Sequence, residues 1–165
     1  VKTKELIIMD KQTSRGVSKL SPHLVVPGAA AAIEFYKKAF GATELMRLEG
    51  QDGKLMHACV SINGSSVMLV DENPQWKALG PKSLGGTPVT IHLMVDDVDK
   101  TTDQAVAAGA KVIMPVADMF WGDRYGIVED PFGHHWSIAT TKKFMSEAEI
   151  KEAARAAMCG ESVPA

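Results

Sequence analysis

The sequence predicts an α+β fold in which one βαβββ module occurs twice, and three observations predict it. Advancing the chain by about 69 positions lays Ser21-Pro22-His23-Leu24-Val25-Val26 on Thr90-Ile91-His92-Leu93-Met94-Val95, so that His23 meets His92. The segments that follow, PGAAAAIEFYKKAFGA and DDVDKTTDQAVAAGA, each read as an amphipathic helix closed by a glycine, Gly41 and Gly109. A turn glycine then precedes the last apolar run of each half, Asn63-Gly64 before SSVMLV and Phe132-Gly133 before HHWSIA.

In the first module, residues 20–71, two further strands fit between the helix and the closing run: Thr43 to Glu49 and Lys54 to Ile62. Turn residues at Gln51-Asp52-Gly53 and Asn63-Gly64 separate them from their neighbours. Residues 72–87, rich in proline and glycine, form the linker. The second module, residues 88–141, has its two middle strands at Lys111 to Val116 and Arg124 to Glu129, with the turn Asp130-Pro131-Phe132-Gly133 before the last strand. In residues 142–165 the pattern changes to SEAEIKEAARAAM, where Ser146 and Glu149 make a capping box for a final helix. Its stripe of Ile150, Ala153, Ala154, Ala157 and Met158 is expected to cover a partner or an open sheet edge. Residues 1–19 form an extension with no clear element, Leu6 to Met9 reading either as an edge strand or as disordered chain.

Composition bounds the partners. A chain of 165 residues is the size of one compact unit, and 45% apolar content is ordinary for a globular domain. With 18 basic and 20 acidic residues the formal charge is −2, which gives no electrostatic reason for a nucleic-acid partner. No window approaches the length of a membrane span, and the start, VKTKELIIMDKQTSRG, lacks a secretory apolar run, so a cytoplasmic location is expected. Cys59 and Cys159 supply neither a disulfide framework nor a paired metal knuckle, and two free thiols are the default.

Four segments in this order resemble a known family: PGAAAAIEFYKKAFGA, GKLMHA, HLMVDDVD and FWGDRYGIVEDPFGHHWSIAT. They are similar to the vicinal-oxygen-chelate superfamily of glyoxalases, bleomycin resistance proteins and dioxygenases, most closely to its PhnB-like branch, over about Leu20 to Thr141. The resemblance implies two βαβββ modules whose strands curl into a mixed sheet around a shared cavity, with helices outside. It also implies a homodimer. Family members include isomerases, dioxygenases, epoxide-opening transferases and drug-binding resistance proteins, so the fold does not choose among them.

The family's metalloenzymes hold an ion at four positions, which by motif register fall here on Ser21, Met68, Thr90 and Ser137. None is His or Glu, and a thioether with three hydroxyls lacks the charge and basicity a divalent ion needs. The expectation is no metal cofactor. Strand alternation offers a second set, because a residue two places from a ligand position faces the same side. His23 and His92 each stand two residues past a lost position, His57 falls opposite the apolar set Met56, Ala58, Val60 and Ile62, and His135 shares a face with Ser137. These side chains either line a ligand pocket or, at His23 and His92, form a displaced site for a divalent metal. Arg124 is placed either as a clamp for an anionic ligand group or in a salt bridge with Asp123, Glu129 or Asp130. Trp121 with Phe120 is a candidate aromatic wall, whereas Trp136 belongs to the core by parity. The expected function is a metal-free small-molecule binding protein. The alternative is an enzyme of the glyoxalase or dioxygenase type using a displaced metal or histidine site.

Overall fold

The computed structural model describes residues 16–160. The possible strand at Leu6 to Met9 lies outside the described residues. The first half runs β1 (His23–Val26), α1 (Ala29–Phe40), β2 (Thr43–Glu49), β3 (Leu55–Ile62) and β4 (Ser65–Asp71). The connection carries a 3₁₀ turn (Pro74–Trp76) and a short α2 (Pro81–Leu84). The second half runs β5 (Thr90–Met94), α3 (Val98–Ala107), β6 (Lys111–Asp118), β7 (Asp123–Glu129) and β8 (His135–Thr141), and α4 (Glu147–Gly160) ends it.

The strands form two four-stranded mixed sheets, β1-β4-β3-β2 and β5-β8-β7-β6. In each, the opening strand pairs in parallel with the closing one and the other neighbours are antiparallel. The register repeats the internal match: His23 lies opposite Met68 in the first sheet, and His92 opposite Ser137 in the second. The helix caps repeat it too. Asp71, at the end of β4, accepts from the backbone N–H groups of Gly28 and Ala29 at 2.7 and 3.0 Å, filling two donors that α1 leaves open. At the matching place Thr140, near the end of β8, accepts from Val98 N–H at 2.8 Å.

Helix α1 forms because one stripe of its residues is apolar. Ala29, Ala32, Ile33, Tyr36, Ala39 and Phe40 recur at helical spacing and are buried. Gly41 ends α1 in the left-handed region at φ 65°, where its N–H bonds the Lys37 carbonyl. The capping box of α4 is present: Glu149 Oε2 accepts from Ser146 N–H at 2.7 Å, and Ser146 Oγ accepts from Glu149 N–H at 3.3 Å.

One core joins the halves. The rings of Phe40 and Tyr36 lie 4.8 and 5.3 Å from that of Trp136, and Phe35 lies 6.3 Å from Phe132. At its centre the carboxylate of Asp130, 2% exposed, accepts from Tyr36 Oη at 2.7 Å and Trp136 Nε1 at 3.0 Å. It also accepts from the backbone N–H groups of Phe132 and His134. Burying a carboxylate is costly unless such donors surround it. Burial raises the Tyr36 phenol well above its usual value, and the charge of Asp130 adds to the rise.

Three expectations change in detail. The linker contains the two short helical turns rather than plain coil. Strand β6 runs on from Val116 to Asp118, and it carries Pro115 because it is an edge strand with a register shift between Met114 and Ala117. Met56 is 58% exposed instead of facing the helix; a second shift, where Leu48 pairs His57 but Glu49 pairs Leu55, turns Leu55 inward in its place. Among the described residues no helix is long and apolar enough to cross a membrane.

Candidate functional site

Packing decides which sheet face is free. Leu24, Val26, Ala58, Val60, Ile62, Val67 and Leu69 are buried on the helix side of the first sheet, as are Val128, Trp136 and Ile138 on that of the second. Alternation then puts His23, His57, Cys59 and Met68 on the front of the first sheet. His92, Tyr125, Ile127, His135 and Ser137 take the front of the second. Side chains opposite one another form rows across each front. One runs His23, Met68, Cys59, Met46, and its counterpart runs His92, Ser137, Ile127, Met114.

The two sheets do not hydrogen-bond to each other, so the curled sheet is divided in two within one chain. Between their edge strands β1 and β5 lies a cleft of about 550 Å³, lined by Pro22, His23, Leu24, Thr87, Val89, Thr90, Ile91, His92 and His134. His23 and His92 thus line one space. His134 is an addition the sequence did not single out, since it precedes β8 and strand parity says nothing of its direction. Its Nε2 lies 3.1 Å from the carbonyl of Val25 in the other module. A carbonyl only accepts, so Nε2 carries the hydrogen and, in the neutral ring, Nδ1 is left as an acceptor. A larger groove of about 970 Å³ between the end of α1 and the start of α3 is wide open and holds none of the predicted site residues.

The histidines fall into three settings. His23 and His57 meet edge to face with ring centres 5.7 Å apart. Desolvation lowers the pKa of His23, and the nearby His57 lowers it further. His92 Nδ1 lies 2.8 Å from Ser137 Oγ, and its Nε2 lies 3.1 Å from Met94 Sδ. A thioether has no hydrogen to give, so Nε2 carries the proton and, in the neutral ring, Nδ1 accepts from the Ser137 hydroxyl. His135 faces Glu129, with Nε2 3.5 Å from its carboxylate.

An aromatic surface adjoins His92. Tyr125 stacks on the imidazole with centres 6.2 Å apart, Trp121 meets Tyr125 edge-on at 5.6 Å, and Phe120 meets Trp121 at 5.0 Å. The indole N–H of Trp121 bonds Asp123. Gly122 fixes this loop: its φ is 98°, and a Cβ there would stand 2.2 Å from the Lys143 carbonyl oxygen. The sequence did not single out Tyr125, which takes the front because Arg124, its neighbour on β7, takes the helix side.

Arg124 itself requires a correction. It lies on the helix side of β7, where its guanidinium grips Asp99 of α3 through two bonds, 2.7 and 2.8 Å, and bonds Asp118 at 3.1 Å. Neither partner is one of the three acids expected. Arg124 and Tyr125 are adjacent in a strand and therefore point to opposite faces, so the guanidinium is engaged away from the cleft.

At the inherited metal positions, Ser21 shares a hydrogen bond with Ser66, Ser137 bonds His92, Met68 stands opposite His23, and Thr90 opposite His135. Three hydroxyls and a thioether do not fit a divalent ion. Among the described residues, no three His, Cys, Asp or Glu side chains gather to hold a metal.

A half-barrel front without that ligand set is what this fold and site define: a glyoxalase-type scaffold. The sequence profile of the Glyoxalase/Bleomycin resistance protein/Dioxygenase superfamily matches residues 19–138, and the chain belongs to that superfamily. The uncharacterized protein Rv0887c of Mycobacterium tuberculosis is 56% identical over 137 residues, 81% of each chain. Among solved structures, TioX from Micromonospora sp. ML1 is 28% identical, with a TM-score of 0.60 over 75% of this chain and 98% of its own. The PhnB protein of Bacillus cereus, 18% identical with a TM-score of 0.61 over 75% of this chain and 100% of its own, shares the fold.

Proposed function

We propose that this chain is a cytoplasmic small-molecule binding protein that takes an organic ligand on its sheet fronts without a divalent ion, and that it works as a homodimer. The observation that carries the reading is the make-up of the fronts. Where a metalloenzyme of the superfamily needs imidazoles and a carboxylate, this chain has Ser21, Met68, Thr90 and Ser137, bordered by imidazoles and by the Phe120, Trp121 and Tyr125 surface. Aromatic faces stack planar ligands, and imidazoles give or take hydrogen bonds to fix their orientation. Nothing in the composition favours nucleic acid as a partner.

Unpartnered apolar surface supports the dimer. Met46, Leu48, Met94, Val112 and Phe120 are exposed, and the outer strands β2 and β6 end their sheets. Helix α4 makes no extensive contact with the other elements; Ile150, Ala153 and Ala154 on its stripe are half-buried, while Met158 is 77% exposed. A second copy laid across these surfaces would place the front of one module against the other module of its partner and enclose the ligand.

A second reading draws on the hydroxyl–imidazole contact of Ser137 and His92, and on His23 and His92 sharing one cleft: an enzyme using a histidine acid–base or a displaced metal. One experiment separates the two. Aromatic and anionic compounds are screened by thermal shift with and without a chelator, and each hit is followed by mass spectrometry. Binding that ignores the chelator and returns the compound unchanged is expected. Conversion of the compound, or loss of binding on chelation, would replace the binding protein with the enzyme.

A further inference from the structure

The His23 row contains an unusual run of sulfur. Met68 is the β4 partner of His23 on β1, Cys59 is the β3 partner of Met68, and Met46 is the β2 partner of Cys59. Neighbouring strands lie about 4.7–4.9 Å apart, so facing side chains are neighbours along the row. Cys59 is fully buried yet belongs to the front, because Ala58 and Val60 on either side of it face the helix core. It forms a floor, with Met68 half-buried beside it, Met46 42% exposed at one rim and His23 exposed at the other. No carboxylate stands in the row.

Imidazole, thioether and thiolate together suit a soft, monovalent d¹⁰ ion and suit a hard divalent ion poorly. We infer that the front of the first module binds a soft monovalent metal ion of the copper(I) or silver(I) class through His23, Met68 and Cys59, with the Met46 thioether at its rim. Binding replaces the thiol hydrogen: the Cys59 S–H bond breaks, a sulfur–metal bond forms, one proton leaves to solvent, and the oxidation state of the metal does not change. The ligand set is distinct from the inherited divalent site, with which it shares Met68 alone.

The duplication supplies an internal control. The matching row of the second module is His92, Ser137, Ile127, Met114. It keeps the histidine and the rim methionine but has a hydroxyl and a hydrocarbon where the first module has a thioether and a thiol. The site is therefore confined to the first module.

The test uses the full chain carrying Cys159→Ser, which removes the other thiol in the sequence. Copper(I), kept reduced anaerobically, is titrated against bicinchoninate, with silver(I) thermal shift as a redox-inert parallel and magnesium(II) as the hard control. One copper(I) per chain is expected to compete with bicinchoninate, with no matching magnesium(II) binding. Met68→Leu, which keeps the side-chain volume, and Cys59→Ser are expected to weaken copper(I) by at least about tenfold, the low end for disturbing even an outer partner of a metal ligand. Met114→Leu is expected to leave it unchanged, and circular dichroism checks that each variant is folded. No copper(I) retained against bicinchoninate, a Met68→Leu chain that binds like its parent, or a loss caused by Met114→Leu each overturns the site and returns the sulfur row to apolar packing.

Discussion

Replacing Tyr36 by Phe tests whether the two modules are held as one body by the buried carboxylate of Asp130. The substitution removes one hydroxyl and leaves the ring in place against Phe40 and Trp136. What is lost is the 2.7 Å bond to Asp130, in a place where water cannot substitute. A hydrogen bond to a charged group contributes about 1.5–3 kcal/mol, which in a domain of this size lowers Tm by about 3–12 °C. The phenol also writes a pH signature. Its pKa is raised above 10.0 in the folded state, by burial first and by Asp130 second, so the folded chain keeps a proton that the unfolded chain releases. That contribution is intact below about pH 10 and is lost as pH rises above it, with a slope of up to about 1.4 kcal/mol per pH unit. Urea unfolding of the parent and Tyr36→Phe chains at neutral pH and at several values above 10 reads both effects. The variant is expected to be weaker at neutral pH and to converge on the parent as the alkaline limb is climbed. A loss below about 0.5 kcal/mol, the range of an ordinary surface change, with parallel alkaline limbs would refute the reasoning.

Trp136→Ala should cost about 3–5 kcal/mol by urea unfolding, as for a fully buried large aromatic, whereas His92→Ala should keep the fold and weaken a screened ligand by about 1–3 kcal/mol in calorimetry; equal destabilisation by both would return His92 to the core. Gly122→Ala should lower Tm, since the loop needs a positive φ and has no room for a Cβ, and should alter the near-ultraviolet circular dichroism of Trp121; an unchanged spectrum and Tm would show that the loop is not fixed there. Glu44 is held down to about 2, chiefly by Arg47 and then by Lys37, so its contribution is present above about pH 4.5 and is lost as pH falls toward 2. Glu44→Gln should flatten that acid limb of the stability profile, and an unaltered limb would remove the ion-pair account. Light scattering at micromolar concentration should report a dimer, and a monomer there would reject the proposed assembly.

Much of the fold was legible because the repeat constrains it twice. The shift that lays His23 on His92 also lays Met68 on Ser137, and the sheets repeat it, with His23 opposite Met68 in one and His92 opposite Ser137 in the other. Trp136 could be placed in the core from alternation alone, and Ser146 with Glu149 announced the start of α4. The residues that misled are those where alternation is interrupted or silent. Met56 sits beside a register shift, which resets the period of two, and His134 precedes its strand. The sequence offers Arg124 as an anion clamp in the cavity or as a partner of Asp123, Glu129 or Asp130, and it is neither, because Asp99 lies 25 residues away on α3 and sequence distance gives no hint of that approach. Nor could spacing reveal that Asp130 would gather Tyr36 from the other module.

The two halves have kept different things, and the difference bears on what the proposed ligand would meet on the fronts. On the helix side the repeat preserves mechanism even where the residue changes: Asp71 and Thr140 occupy matching positions at the ends of β4 and β8, and each accepts from the first turn of its own module's helix. A carboxylate and a hydroxyl serve equally there, because the requirement is an oxygen facing open N–H groups. On the front the histidine is kept, at His23 and His92, while its neighbours diverge: Met68 against Ser137, and Cys59 against Ile127. His92 is thereby pinned by a hydroxyl and backed by Tyr125, whereas His23 meets His57 over sulfur. Packing alone would ask the two fronts only to be compatible with a partner and with water. Two unlike settings around one retained imidazole mean that a ligand lying between a first-module front and a second-module front meets a soft, sulfur-rich wall on one side and an aromatic, hydroxyl-bearing wall on the other. Such a ligand has two chemically different faces, and a symmetric compound should bind less tightly than its unsymmetric analogue of the same area.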